Sequence, residues 1–188
     1  NQAIYRRDAK LPIEDEPFLL TANCRNTAPI HTLAYGFYVG APVDQPELAG
    51  PAVDVLRYET DIQQAAEIEQ RVRHLLLTEK LSPADIVVLL AKRPKGALYE
   101  LLARHRLPGK VDWSFERRVP GTILVDTVAR FKGLEAAIVL LWLGDEISNT
   151  DEIETVYVGT SRAKYLLYVV GSSQACAGLL SRAIHGGV

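Results

Sequence analysis

The residues best suited to chemistry in this chain are two arginines far apart in sequence. Arg25 lies in Asn23-Cys24-Arg25-Asn26-Thr27, and Arg162 in Thr160-Ser161-Arg162-Ala163-Lys164. A guanidinium stays charged and presents a planar fork to phosphate oxygens, which a lysine cannot reproduce. Between them lies Lys132-Gly133-Leu134-Glu135, a connection with a cation, a glycine and a carboxylate. Each has a plainer reading. An isolated arginine pairs with a surface carboxylate, and any strand-to-helix loop can hold Lys, a capping Gly and Glu. Lys92-Arg93-Pro94-Lys95-Gly96 gathers three cations that either touch phosphates or face solvent, and Trp113 and Phe115 either stack bases or pack at the rim. The chain holds no G-x-x-x-x-G-K-[ST] phosphate loop and no nucleophile motif. Its two cysteines, Cys24 and Cys176, give neither metal spacing nor a disulfide framework, so a reducing, cytoplasmic setting is the simpler assumption.

Such residues need rigid elements to hold them. Two continuous apolar runs, 122–125 and 136–143, flank the polar connection. Apolar runs without alternation read as strands covered on both faces, hence parallel strands of an α/β protein. A short helical stretch is expected after Thr127. In open α/β sheets ligands gather where strands end at their carboxyl edge, and Thr127 ends its strand there. Further strands are predicted over 53–58, 86–91 and 166–170. Helices are predicted over 61–79, 97–106 and 174–184. The first of these carries Ile62, Ala65, Ala66, Ile68, Val72, Leu75 and Leu76 on one face, with Asp61 at its start. Thr27 and Pro29 open another helix, with Thr27 as N-cap and Ile30, Leu33, Ala34 and Phe37 at helical spacing. The acidic stretch 144–155 begins a helix that carries Tyr157 through Lys164. The pattern predicts one α/β domain, a three-layer α/β/α sandwich around five or six mostly parallel strands.

Composition bounds the function. With 48% hydrophobic and 23% charged residues, the chain is an ordered globular protein rather than a disordered one. Its net charge of −2 lacks the basic excess of many nucleic-acid-binding domains, although a groove gripping one strand needs only local positive charge. No apolar run has the length of a membrane span, and the first residues are not signal-like. With no Met anywhere, we read the chain as a piece of something longer.

Taken in order, the polar junctions resemble the motifs of superfamily 1 helicases of the UvrD/Rep/PcrA type. Asn1-Gln2-Ala3-Ile4-Tyr5 is similar to the tail of motif III, and Asn23 through Thr27 to motif IV, L-x-x-N-Y-R-S/N-T. Thr127 through Glu135 is similar to motif V, T-x-H-x-x-K-G-L-E, and Tyr157 through Ala163 to motif VI, Y-V-x-x-T-R-A. The resemblance implies a RecA-like P-loop NTPase fold lacking the Walker A loop. Residues 1–17 would be a remnant and linker from the preceding ATP-binding domain, and 18–188 the second RecA-like domain.

By the same resemblance the chain is the C-terminal motor half of an ATP-dependent DNA helicase, inactive by itself. Arg25 and Arg162 would be its catalytic contacts to the ATP γ-phosphate, where an arginine finger is worth roughly 10³–10⁵ in rate. Gln2 would sense that phosphate, Glu135 would accept a hydrogen bond from the ribose, and Gly133 would belong to the same cofactor-binding set. Tyr5, Thr127 and Arg130 would lie on the DNA. ATP and Mg2+ are the implied cofactors, the metal ligands falling on the N-terminal RecA-like domain of the same parent. Single-stranded or partially duplex DNA is the implied partner. Four positions depart from the family pattern: Cys24 replaces the Tyr that stacks on adenine, Ala129 a His, Ser161 a Thr, and Arg7 an aromatic. Ser161 keeps the hydroxyl; Cys24, Ala129 and Arg7 motivate the alternative of a degenerate, non-catalytic helicase-like module that binds nucleic acid or protein.

Overall fold

The computed structural model describes residues 22–40, 43–91, 94–143, 147 and 149–185. Gln2, Tyr5 and Arg7, the proposed boundary near residue 17, and Lys92 and Arg93 lie outside the described residues.

Among the described residues six strands form one sheet: β1 (Asp54–Arg57), β2 (Ile86–Leu90), β3 (Asp112–Phe115), β4 (Thr122–Thr127), β5 (Ala136–Trp142) and β6 (Ala163–Gly171). They lie in the order β1-β6-β5-β2-β4-β3, and every pairing is parallel. The unbroken apolar runs follow from two-sided burial. Along β5, Val139 and Leu141 enter one core while Ile138, Leu140 and Trp142 enter the other. β2 does the same with Val87 and Leu89 against Ile86, Val88 and Leu90.

The helices are α1 (Ala28–Tyr35), α2 (Asp61–Leu77), α3 (Lys95–Ala103), α4 (Thr150–Thr160) and α5 (Ser173–His185). α1, α4 and α5 supply the first core, with Ile30, Leu33, Val156, Val158 and Leu179. α2 and α3 supply the second, with Ala65, Ile68, Val72, Leu98 and Leu102. The three-layer α/β/α expectation therefore holds.

Several local expectations change. Trp113 belongs to β3, a strand outside the predicted set. Its ring is core, and its indole N–H donates to the His105 carbonyl at 2.8 Å. α2 is capped by Thr60, which exchanges both bonds of a capping box with Gln63, and Ile62 is 66% exposed rather than on the buried face. Gln64, a polar residue, is buried there instead. It accepts from the Trp142 indole at 2.6 Å and donates to the Tyr58 carbonyl at 2.6 Å, so the wide Trp is satisfied deep in the sheet. Thr27 precedes α1 as N-cap, yet its side chain makes no capping bond; its N–H instead donates to the Lys164 carbonyl at 3.1 Å. Residues 128–134 are hydrogen-bonded turns rather than a helix, with Phe131 N–H to Thr127 O and Leu134 N–H to Phe131 O, both 3.1 Å. Val128 and Phe131 anchor this crossing segment in the first core, which carries the chain from the carboxyl end of β4 to the amino end of β5.

Candidate functional site

α4 ends at Thr160, earlier than its apolar pattern predicts. The hydroxyls of Thr160 and Ser161 turn back onto the Val156 and Val158 carbonyls at 2.8 and 3.0 Å, competing with the helix ladder at its last turn. Arg162 therefore sits in the junction between α4 and β6, not on the helix, and Ala163 and Lys164 are already strand.

The Arg162 side chain folds back under this junction and is only 1% exposed. Its guanidinium donates to the Val158 carbonyl through Nε (3.1 Å), to the Leu134 carbonyl through Nη1 (3.2 Å) and to Ser161 Oγ through Nη2 (3.0 Å). None of these acceptors is charged. Among the described residues neither Arg162 nor Arg25 forms a salt bridge. Burial, and next the charge of Arg25, pull the Arg162 guanidinium below its ordinary value, though a guanidinium stays protonated through such shifts.

Arg25 is exposed, and the loop before α1 holds its backbone. Asn23 Oδ1 accepts from the N–H groups of Arg25 (3.0 Å) and Asn26 (3.4 Å), an Asx-type turn that sets the loop without regular structure. Asn26 is 2% exposed and donates through Nδ2 to the carbonyls of Ser161 (3.2 Å) and Ala163 (2.5 Å). The segment 23–27 is thereby pinned to 161–164.

Glu135 immediately precedes β5. It pairs with Lys164 at 3.1 Å, both side chains being about half exposed. Ala136 N–H donates to the Arg162 carbonyl at 3.1 Å, so the connection after β4 docks on the start of β6. Gly133 takes φ +86°, a left-handed turn that an L side chain adopts only at a cost, and this accounts for the glycine in Lys132-Gly133-Leu134-Glu135.

Arg25, Glu135 and Arg162 thus gather at the amino edge of β5 and β6, whereas the carboxyl edge was expected. The topology dictates this: the residues after β4 have crossed the sheet before Glu135 is reached. Thr127 and Arg130 stay at the carboxyl end of β4, so the residues ascribed to nucleotide and to DNA occupy opposite ends of the strands. Thr127 Oγ1 accepts from Arg130 N–H at 3.3 Å. The Arg130 guanidinium donates to Asp126 Oδ1 at 3.0 Å and to the Glu116 carbonyl at 2.9 Å. Glu116 also pairs with Lys95, whose ammonium, with burial opposing and Arg130 adding, holds the Glu116 carboxyl below its usual range.

A groove of about 600 Å³ opens at the amino edge, lined by Asn23, Cys24 and Arg25, by Glu135 and Lys164, and by aromatic rings. Those rings had escaped notice in the sequence. His31 stacks on Tyr35 (centroids 5.2 Å apart), Tyr35 on Tyr38 (5.4 Å), and Tyr38 meets Tyr157 at a tilt (5.4 Å). The available signal was the spacing 31, 35, 38, one helical stripe beside the core stripe of Ile30, Leu33 and Phe37. Among the described residues no group of three or more His, Cys, Asp or Glu side chains is arranged to hold a metal ion, and no helix is long and apolar enough to cross a membrane.

The two stretches that build this edge, 127–135 and 157–164, fall together in one family match. Residues 122–170 match the UvrD-like helicase C-terminal domain. The resemblance to the C-terminal RecA-like half of UvrD-type helicases is borne out by that match and by the fold. Among solved structures, the chain is similar to the C-terminal domain of a possible DNA helicase from Lactobacillus plantarum WCFS1. The TM-score is 0.57 at 23% identity, over 85% of this chain and 92% of that one. No curated protein matches the chain. Similarity to the UvrD-like C-terminal domain therefore rests on sequence over 122–170 and on architecture over most of the length, while 23–27 joins it through contacts in the fold.

Proposed function

We propose that this domain is the C-terminal motor half of an ATP-dependent DNA helicase. ATP, with Mg2+ held by ligands on a preceding RecA-like half of the same parent, faces the amino edge of β5 and β6. Arg25 meets the γ-phosphate from the groove. Arg162, released from the Leu134 and Val158 carbonyls, joins it as negative charge spreads in the transition state. Glu135 accepts from the ribose, exchanging its Lys164 partner for a hydroxyl. The opposite edge, with Thr127 and Arg130, forms part of the single-stranded DNA track. Closing and opening of the two halves around nucleotide then moves them along the strand.

One observation carries this reading. Two guanidiniums, 137 positions apart in number (162 minus 25), are brought to one edge of the sheet by the Asn26 bonds to the Ser161 and Ala163 carbonyls, and among the described residues neither forms a salt bridge, the neighbouring Glu135 pairing with Lys164 instead. Like charges are held together at a cost unless an anion completes the site. The test is single-stranded-DNA-stimulated ATP turnover of the full-length protein. Arg162→Ala should lower it on the order of 10³-fold or more while sparing much of the nucleotide binding. Unchanged turnover would refute the assignment.

A second reading, a non-catalytic helicase-like module, is favoured by the burial of Arg162 and by Cys24 in place of a ring. It requires that the full-length protein bind single-stranded DNA without ATP turnover.

A further inference from the structure

The groove beside Arg25 offers more aromatic surface than a phosphate site needs. His31, Tyr35 and Tyr38 follow one stripe of α1 and the turn after it, and Tyr157 reaches them from α4. The arc returns to the arginine loop at both ends. At one, Asn23 Nδ2 donates to His31 Nδ1 at 2.8 Å while Asn23 Oδ1 holds the Arg25 backbone. At the other, the charges of Arg25 and Arg162 act on the Tyr157 phenol, opposing the effect of its burial. Tyr35 is fixed in place because its hydroxyl accepts from Val43 N–H at 3.1 Å. The tyrosines remain half-buried on the groove side and are not closed into the core.

Cys24, by contrast, is an exposed thiol with no ring to offer. We propose that the arc of Tyr35, Tyr38 and Tyr157 is the base-stacking wall for the nucleotide whose phosphates Arg25 receives, taking the part that position 24 does not supply. The inference rests on the nucleotide-facing reading of this edge. Each nucleobase has a π face, so an aromatic side chain can stack on any base. The wall also explains why the rings are ordered against one another while still lining open space: a preorganised stack loses little freedom when a base joins it.

The test compares ATP with inorganic tripolyphosphate, which keeps the phosphates and lacks the base, by NMR titration of this chain. ATP should bind about tenfold more tightly than tripolyphosphate, within the range that one stacked base gives. Tyr38→Leu should erase that difference, and Tyr38→Phe should keep it. Equal affinity for the two probes in the wild-type chain, with both weakened by Arg25→Ala, overturns the stacking wall and leaves the phosphate site standing. No binding of either probe by this chain overturns the stacking wall, and the nucleotide reading is then judged separately by the Arg162→Ala turnover of the full-length protein. If Tyr38→Leu fails to fold, the wild-type comparison alone still decides the matter.

Discussion

Asn26 clasps the backbone on both sides of Arg162. Its amide donates to the Ser161 and Ala163 carbonyls, so the loop that presents Arg25 cannot move independently of the junction that stores Arg162. Two segments separated by most of the chain are joined by one buried side chain, and several consequences are measurable.

Replacing Asn26 with Ala orphans those two carbonyls in a site that is 2% exposed. The expected loss is about 1–3 kcal/mol, read as a lower urea midpoint with unchanged slope. Binding of tripolyphosphate at Arg25 should weaken as well. A variant as stable as the wild type would show that the clasp contributes nothing to the fold.

Gln64 and Trp142 form a second buried pair, and deleting one partner leaves the other unsatisfied. Gln64→Leu alone strands the indole N–H and should cost about 1–3 kcal/mol. Combining it with Trp142→Phe should cost less than the sum of the two single changes, because no donor remains to be orphaned. Strict additivity in chemical denaturation would argue that the bond is energetically silent.

Lys80 stands just past the C-terminus of α2 at φ 56°, and Leu81 N–H bonds back to the Leu75 carbonyl at 3.0 Å, which closes the turn around it. Glycine removes the Cβ strain of that conformation, at some expense in unfolded-chain entropy. Lys80→Gly is expected to stabilise by about 0.5–1 kcal/mol, visible as a higher Tm. A fall in Tm would mean that the lysine side chain holds the turn.

His31 supplies a pH dependence with a definite sign. Burial lowers its imidazole below the ordinary 6.5, so the folded state prefers the neutral form. The unfolded chain then binds more protons in the window below 6.5. The stabilisation is complete above that value and is lost as pH falls toward the folded-state value. Protonation would also set an N–H of His31 against the Asn23 amide donor. Stability measured at about pH 7.5 and about pH 5.5 should fall more for the wild type than for His31→Gln. Equal falls would assign the effect to other groups.

Much of the architecture was legible in the residues. Unalternating apolar runs at 86–90, 122–125 and 136–142 pointed to a sheet buried on both faces, because runs this short and rich in β-branched residues suit strands covered on both sides. The short β3 was hidden because Asp112 and Ser114 leave it only two apolar residues, Trp113 buried in the core and Phe115 packed against it. α4 was extended too far because Ser161 and Arg162 are compatible with a helix by local preference. The bonds that stop it run from the Thr160 and Ser161 hydroxyls and the Arg162 guanidinium back to the Val156 and Val158 carbonyls.

The amino-acid sequence by itself determined the layered α/β class, the order of the motif-like junctions and the types of residue available to meet phosphate. Only the tertiary structure decided where they stand: Arg25, Glu135 and Arg162 at the amino edge, Thr127 and Arg130 at the other, and a stack of rings beside Arg25. The physical reason is that local pattern reports which face of an element is buried, whereas the meeting of distant segments depends on strand order and on side chains such as Asn26 and Arg162 finding backbone acceptors across the chain.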